Sequence, residues 1–244
     1  MSAIPRVFVD CALADGIEVT LPAVSAHHVR TVLRLARNAE LVLLDGRGAV
    51  HEARLTLVSR EAVHALVGPA LATRGESPLE ITLVQSISRG ERMDYTLQKA
   101  VELGVRHIVP VVSRRTVVRL DQRREDRRLE HWAGVVRHAA EQSERALLPT
   151  LAGVTTLDDW LAARGATTAF LLQPGASAPL ARQPRPTAAV ALLAGPEGGF
   201  DPGEVERMLS AGAHAVSLGP RVLRTETAAV AALAVMQALW GDLA

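Results

Sequence analysis

The chain has 244 residues, of which 48% are hydrophobic and 22% charged, proportions that exclude wholesale disorder. A formal net charge of +1 excludes a protein dominated by a basic nucleic-acid-binding tail, and no apolar run reaches the roughly 18–20 residues needed to cross a bilayer. The single cysteine, Cys11, excludes an internal disulfide; with no basic start and apolar core at the N-terminus, a cytoplasmic protein without a signal peptide is expected.

The first 72 residues read as short strands. Arg6–Val9 is predicted as a strand, followed by a turn over Ala14, Asp15 and Gly16. Ser25 is placed to cap a helix whose apolar residues His28, Val29, Val32, Leu33 and Leu35 fit a period of 3.6. Leu41–Leu44 is a strand ending in the turn Asp45-Gly46-Arg47-Gly48, and Val50–Val58 and Ala62–Val67 are further strands. Strands so closely spaced predict a small barrel or sandwich. The polar stretch Thr73–Pro78 reads as a linker, dividing the chain into domains 1–72 and 73–244.

Beyond it the pattern changes to strand, helix, strand. Leu79–Val84, His107–Val112, Thr168–Leu172, Ala188–Ala194 and Ala215–Leu218 are predicted strands. Glu91–Leu103 is a helix with Met93, Leu97, Ala100 and Val101 on one face, and Arg123–Arg145 is a long charged helix with a stripe at Leu129, Trp132, Val136 and Ala139 or Ala140. A short helix is expected near Asp158–Ala163. Asp201, Pro202 and Glu204 form the start signal of another, and Thr225–Trp240 is apolar almost all round, which requires burial in a core or a subunit contact. The sum is an α/β domain with a mostly parallel sheet.

Two loops follow buried strands in this half: Gly195-Pro196-Glu197-Gly198-Gly199, and the segment from Leu218 through Gly219, Leu223, Arg224, Thr225 and Glu226 to Thr227. Ligands of open α/β sheets bind beyond the carboxyl ends of strands, where both loops lie. Each could also be a plain tight turn. Neither matches GxGxxG or GxxxxGK[ST], which disfavours a dinucleotide or nucleoside-triphosphate cradle. Of the 27 cations only Lys99 is lysine. A nucleotide bias toward arginine accounts for this plainly, but guanidinium groups also grip phosphates in a bidentate manner. With 3% aromatics the chain has few stacking platforms for bases. The eight histidines show no HxxxH or HExxH spacing, so no metal site is expected.

The strings GPEGGF and LGPRVLRTETA, with SRGERMDYTLQKAVELGV, HHVRTVLRL and LLDGRG upstream, closely resemble the bacterial 16S ribosomal RNA uridine N3-methyltransferases (the RsmE type) of the SPOUT superfamily. The resemblance covers nearly the whole chain. It implies an N-terminal PUA-like β-barrel for RNA and a C-terminal SPOUT α/β domain with a trefoil knot. It further implies S-adenosylmethionine as methyl donor, a homodimer through the C-terminal domain, and 16S rRNA or the small ribosomal subunit as partner, with uridine 1498 the expected target. Carried onto this chain, it places the cofactor on three loops, with Leu172, Gly195, Pro196, Gly198, Gly199, Leu218, Gly219, Leu223 and Thr225 as its binding residues. One segment departs from the family. Where EQSGRxRVP is usual, Glu141–Pro149 has Glu144 for the glycine and Leu147 for the second arginine, so no RNA contact is carried onto it. Arg92 stands where lysine is common.

Methyl transfer to uracil N3 needs an aligned donor and a group to take the N3 proton. Glu197 and Glu226 are the candidate bases and Arg224 the candidate stabiliser of the uracil anion. Glu197 is preferred because a glycine-rich turn does not otherwise require a carboxylate, and Glu226 has a bracing role open to it in the first turn of the last helix. The candidate RNA contacts are Arg6, Arg30 and Arg34 in the first domain and Arg89, Arg92, Lys99, Arg114 and Arg115 in the second. Arg30, Arg34 and Arg37 are expected to share one helix face. Lys99 is equally suited to pairing with Glu102. Two alternatives stay open: a SPOUT enzyme with another RNA target, and a non-catalytic RNA-binding assembly protein.

Overall fold

Short apolar-alternating segments dominate the N-terminal unit of the computed structural model, which describes residues 4–73, 76–116 and 122–243. β1 (Arg6–Phe8), β2 (Glu18–Thr20), β3 (Glu40–Leu44), β4 (Val50–Val58) and β5 (Val63–Ala70) form one sheet in the order β1-β3-β4-β5-β2. β1 and β3 are parallel, and the other pairs are antiparallel. Alternation sends Leu41, Leu43, Ala53, Leu55, Val63, Ala65 and Val67 into one core with Val7, Val19 and Val29. β2 escaped the sequence pattern because it is a three-residue edge strand in which only Val19 is buried.

Two expectations fail here. Ser25 does not cap a helix. α1 (Ala23–His27) starts earlier, after Pro22, and the buried Ser25 hydroxyl donates to the Phe8 carbonyl at 2.8 Å. Nor do Arg30, Arg34 and Arg37 share a helix face. α1 passes into a π-helical turn, His28–Val32, and the chain turns out of it through Arg34 in the left-handed region at φ 52°. Two of the three arginines therefore lie beyond the helix.

The N-terminal unit comprises Met1–Glu76 and Ala140–Leu148. Sequence reading assigned the second segment to the C-terminal half, because nothing local marks its long-range partners. Glu141 Oε1 accepts the Phe8 N–H at 3.1 Å, Leu148 N–H donates to the Gly46 carbonyl at 3.0 Å, and Arg47 bridges Leu147. Arg145, 8% exposed, donates through Nε (3.1 Å) and Nη2 (2.7 Å) to Glu76 Oε2, while the Leu147 N–H donates to Oε1 at 3.2 Å. Glu76 thus anchors a seam within the unit, where a linker was expected.

Glu144 sits at φ 60°, which explains the glycine usual there. A side chain in this region costs about 1–2 kcal/mol, offset in part by an Arg6 ion pair at 3.7 Å and by the extra flexibility glycine has when unfolded. Glu144→Gly is expected to raise stability by about 0.5–1 kcal/mol, read as a higher urea midpoint at unchanged slope. A lower midpoint would show that the Glu144 contacts outweigh its backbone strain.

The C-terminal unit, Ser77–Ala139 with Pro149–Ala244, is built on a parallel sheet. Its strands are β6 (Ile81–Ser86), β7 (His107–Val112), β8 (Thr150–Leu151), β9 (Thr155–Thr156), β10 (Thr168–Leu172), β11 (Val190–Ala194) and β12 (His214–Val216). They run β12-β10-β11-β6-β7-β8, with β9 also on β7. Every residue of β11 is buried, as its continuous apolar run predicts. The helices are α2 (Glu91–Glu102), α3 (Gln122–Gln142), α4 (Leu157–Ala163), α5 (Pro202–Ser210) and α6 (Thr225–Trp240). α5 opens on the expected capping box between Asp201 and Glu204. α6 buries Ala229, Ala232, Leu233, Met236 and Trp240, and its buried Gln237 accepts from the Ser77 hydroxyl and donates to the Leu103 carbonyl. Among the described residues, no helix is long and apolar enough to cross a membrane.

Candidate active site

In a parallel sheet every strand ends on the same side, so adjacency of strands becomes adjacency of loops. β12, β10 and β11 are neighbours, and the segments that follow them are those starting at Ser217, Gln173 and Gly195. These three segments line one cavity of about 540 Å³. All nine predicted cofactor residues lie on its wall: Leu172, Gly195, Pro196, Gly198, Gly199, Leu218, Gly219, Leu223 and Thr225. Glu197, Arg224 and Glu226 line it too, as do Arg92 and Arg115. Gln173, Pro174, Arg221 and Val222, within the loops that the resemblance assigns to the cofactor, lie on the wall as well; sequence reasoning missed Phe200, Val205, Val216 and Ala228, which flank those loops.

The loop after β11 is tightly made. The Gly199 N–H closes a turn on the Pro196 carbonyl at 2.8 Å, with Gly199 at φ 67°, a conformation L side chains rarely adopt. At Gly195 a Cβ would come within 3.2 Å of the Phe200 nitrogen, so a side chain there would require the loop backbone to give by a few tenths of an ångström.

Neighbouring strand ends brace this loop. The Arg89 N–H, just after β6, donates to Glu197 Oε1 at 3.0 Å, and Arg92 Nη1, in the first turn of α2, donates to the same oxygen at 2.9 Å. Arg115, after β7, donates to the Gly198 carbonyl at 2.9 Å. Arg114 is held by its backbone N–H on the buried Glu204, 2.8 Å away. Burial opposes ionisation of Glu197, but the Arg89 N–H, its own backbone N–H and the Arg92 guanidinium outweigh it and hold the carboxyl below the ordinary carboxylate range. A carboxylate so held is a weak proton acceptor, and its geometry is that of a brace.

Glu226 is different. It lies in the first turn of α6 on the cavity wall, and its Oε2 is buried with no hydrogen-bond partner. Buried acceptors are almost always satisfied, so one left without a partner on a residue of the cavity wall calls for a function. Arg224 and Arg221 are exposed on the same wall.

The remaining predicted RNA contacts lie outside the cavity wall. Arg30 Nη1 donates to the carbonyls of Ser59 (2.8 Å) and Arg60 (2.5 Å), bracing the β4–β5 turn. Arg6 is half-buried and faces Glu144. Lys99 Nζ donates to both oxygens of Glu102, at 2.7 and 2.9 Å, and lies 5.9 Å from the Tyr95 ring centre. Arg34 is exposed. Among the described residues no group of three or more His, Cys, Asp or Glu is placed to hold a metal ion.

Two family models match the chain: an RNA methyltransferase domain over residues 75–237, which contains the sheet and its glycine-lined cavity, and an RNA methyltransferase PUA domain over residues 25–67. The chain belongs to the RNA methyltransferase family, with a PUA-like N-terminal sheet and a SPOUT-type C-terminal domain. It is 40% identical to a ribosomal RNA small subunit methyltransferase E from Neisseria gonorrhoeae, solved bound to S-adenosyl methionine, with a TM-score of 0.92 over 99% of this chain and 100% of that one. A methyltransferase from Legionella pneumophila, solved with bound cofactor SAM, is 35% identical with a TM-score of 0.94 over 98% of this chain and 99% of its own. The ribosomal RNA small subunit methyltransferase E of Synechocystis sp. is 32% identical over 91% of this chain and 73% of its own length.

Proposed function

We propose that the protein transfers a methyl group from S-adenosylmethionine to N3 of a uridine in 16S ribosomal RNA, with uridine 1498 as target. The observation that carries this is the convergence of all three recognised loops on one cavity in a chain 40% identical to a methyltransferase solved with that donor. The cavity suits the group. Its volume of about 540 Å³ falls in the range of small-molecule sites, and Leu172, Val216, Leu218 and Leu223 offer apolar walls beside loop backbone. When bound, the donor supplies an electrophilic methyl on its sulfonium.

The chain's own residues supply position, charge and a proton acceptor. Uracil N3 carries a proton that must leave before or as the nitrogen attacks. Glu226, whose buried Oε2 has no hydrogen-bond partner, is the group assigned to take it, and Arg224 stabilises the anion that forms on the ring. Glu197 shapes the loop instead, through Arg89 and Arg92. Arg34 and Arg89, both exposed, serve as phosphate contacts, whereas Arg92, Arg114 and Arg115, held by Glu197, Asp201 and Gly198, would first have to leave internal partners, as would Arg6, Arg30 and Lys99. The reading includes a trefoil knot in the C-terminal domain, a homodimer through that domain and a cytoplasmic setting.

The direct test is calorimetric titration with S-adenosylmethionine, followed by mass mapping of 16S RNA incubated with protein and donor. A donor at one hundred times its dissociation constant should stabilise the fold by about 2.7 kcal/mol, seen as a raised melting temperature. No heat and no thermal shift at saturation would overturn the methyltransferase reading. A methyl group mapped elsewhere than uracil N3 would overturn only the target.

A further inference from the structure

We propose that Gln85 is a positioning residue for the methyl donor: its buried amide orders the Thr225 hydroxyl, which in turn holds the Gly195 carbonyl on the cavity wall. This rests on the donor-binding reading of that cavity. Gln85 is fully buried in β6 and sits opposite Ala194 of β11, the residue before Gly195. Thr225, the first residue of α6, is 9% exposed. Three elements that approach one another only in the folded sheet thus meet at one hydroxyl.

The direction of the bonds is fixed by proton counting. The Thr225 hydroxyl has one proton and donates it to the Gly195 carbonyl at 2.6 Å. Its contact with Gln85 Nε2, at 3.4 Å, must therefore be one in which the amide donates. The other amide hydrogen goes to the Ser86 carbonyl at 2.9 Å. Turning the amide over would set Oε1 against that carbonyl, acceptor on acceptor, so the orientation is unique. The chain runs Gln85 to Thr225 to Gly195, and it leaves one lone pair of the Gly195 carbonyl for a hydrogen-bond donor of the bound cofactor.

The consequence is a fixed spacing between the loop after β11 and the first turn of α6, both of which line the cavity. Catalysis by alignment is sensitive to shifts of about 1 Å, so a residue that touches neither donor nor RNA acquires leverage over both binding and rate. Gln85 is not a catalytic residue in this scheme, since it acts through Thr225.

The test uses the full chain and S-adenosylmethionine. Thr225→Val keeps the shape and removes the hydroxyl; it is expected to weaken donor binding about tenfold by calorimetry and to lower kcat. Thr225→Ser should restore binding to within about twofold. Gln85→Leu should weaken binding about three- to fivefold, and the double variant should bind no more weakly than Thr225→Val alone, because the two residues act in series. Multiplying effects would overturn the relay, as would a Gln85→Leu variant that melts lower yet binds and turns over like the wild type. Should the unaltered protein fail to bind the donor, the donor reading itself falls and the relay with it. Normal wild-type binding with unaffected variants would sink the relay alone.

Discussion

Glu226→Gln is expected to slow single-turnover methyl transfer by about two orders of magnitude or more, while donor affinity changes by no more than a few-fold. The substitution keeps size and shape and removes only the ability to take a proton. Glu226 lines the cavity and its buried Oε2 has no hydrogen-bond partner, whereas Glu197 Oε1 already receives two donors, the Arg89 N–H and the Arg92 guanidinium. Glu197→Gln should accordingly affect loop geometry, and so donor affinity, more than the rate at saturation. The two variants are to be compared under saturating RNA and donor across a pH series. Loss of the acid limb of the rate profile in Glu226→Gln would mark the base. Normal turnover in Glu226→Gln with a collapsed rate in Glu197→Gln would reverse the assignment.

Arg145→Ala is expected to destabilise the N-terminal unit by about 3–5 kcal/mol, a large share of the 5–15 kcal/mol typical of a folded protein. Arg145 is 8% exposed, and its fork places two N–H groups on Glu76 Oε2 while the Leu147 N–H occupies Oε1. Truncating it leaves a carboxylate largely out of water without its counter-charge, and that residual cost exceeds any net gain from the original pair. Arg145→Lys should recover only part of the loss, since a point ammonium does not reproduce the planar fork. Urea unfolding monitored on this unit measures both. A loss below about 1 kcal/mol would place the pair in the class of exposed, screened bridges.

The Arg145 case shows where local reading stops. Its segment was recognised in sequence as departing from a family pattern at Glu144 and Leu147, which removed the basis for an RNA contact. Nothing in the order of residues says that Glu76, far along the chain, is the partner, because complementary charge is common and pairing depends on the path between. The left-handed backbone at Glu144 was equally invisible: a glycine in that place announces itself, and a glutamate does not.

Local pattern located β4, β7, β10 and α6 at or near their boundaries, since alternation in β4 and unbroken apolar character in α6 are properties of neighbouring residues. The same local chemistry marked the glycine- and proline-rich loops as candidate ligand loops, with a plain tight turn as the alternative. The tertiary structure decided what adjacency decides. Parallel order set β12, β10 and β11 side by side and so brought three distant loops onto one cavity. It gave Glu197 Oε1 its two donors and left Glu226 Oε2 with none, a difference between two carboxylates that composition could not separate. The physical reason is range. Backbone propensity and amphipathic pattern act over a few residues and are written in sequence order, whereas hydrogen-bond occupancy and the surroundings of a charge depend on contacts between segments a hundred residues apart.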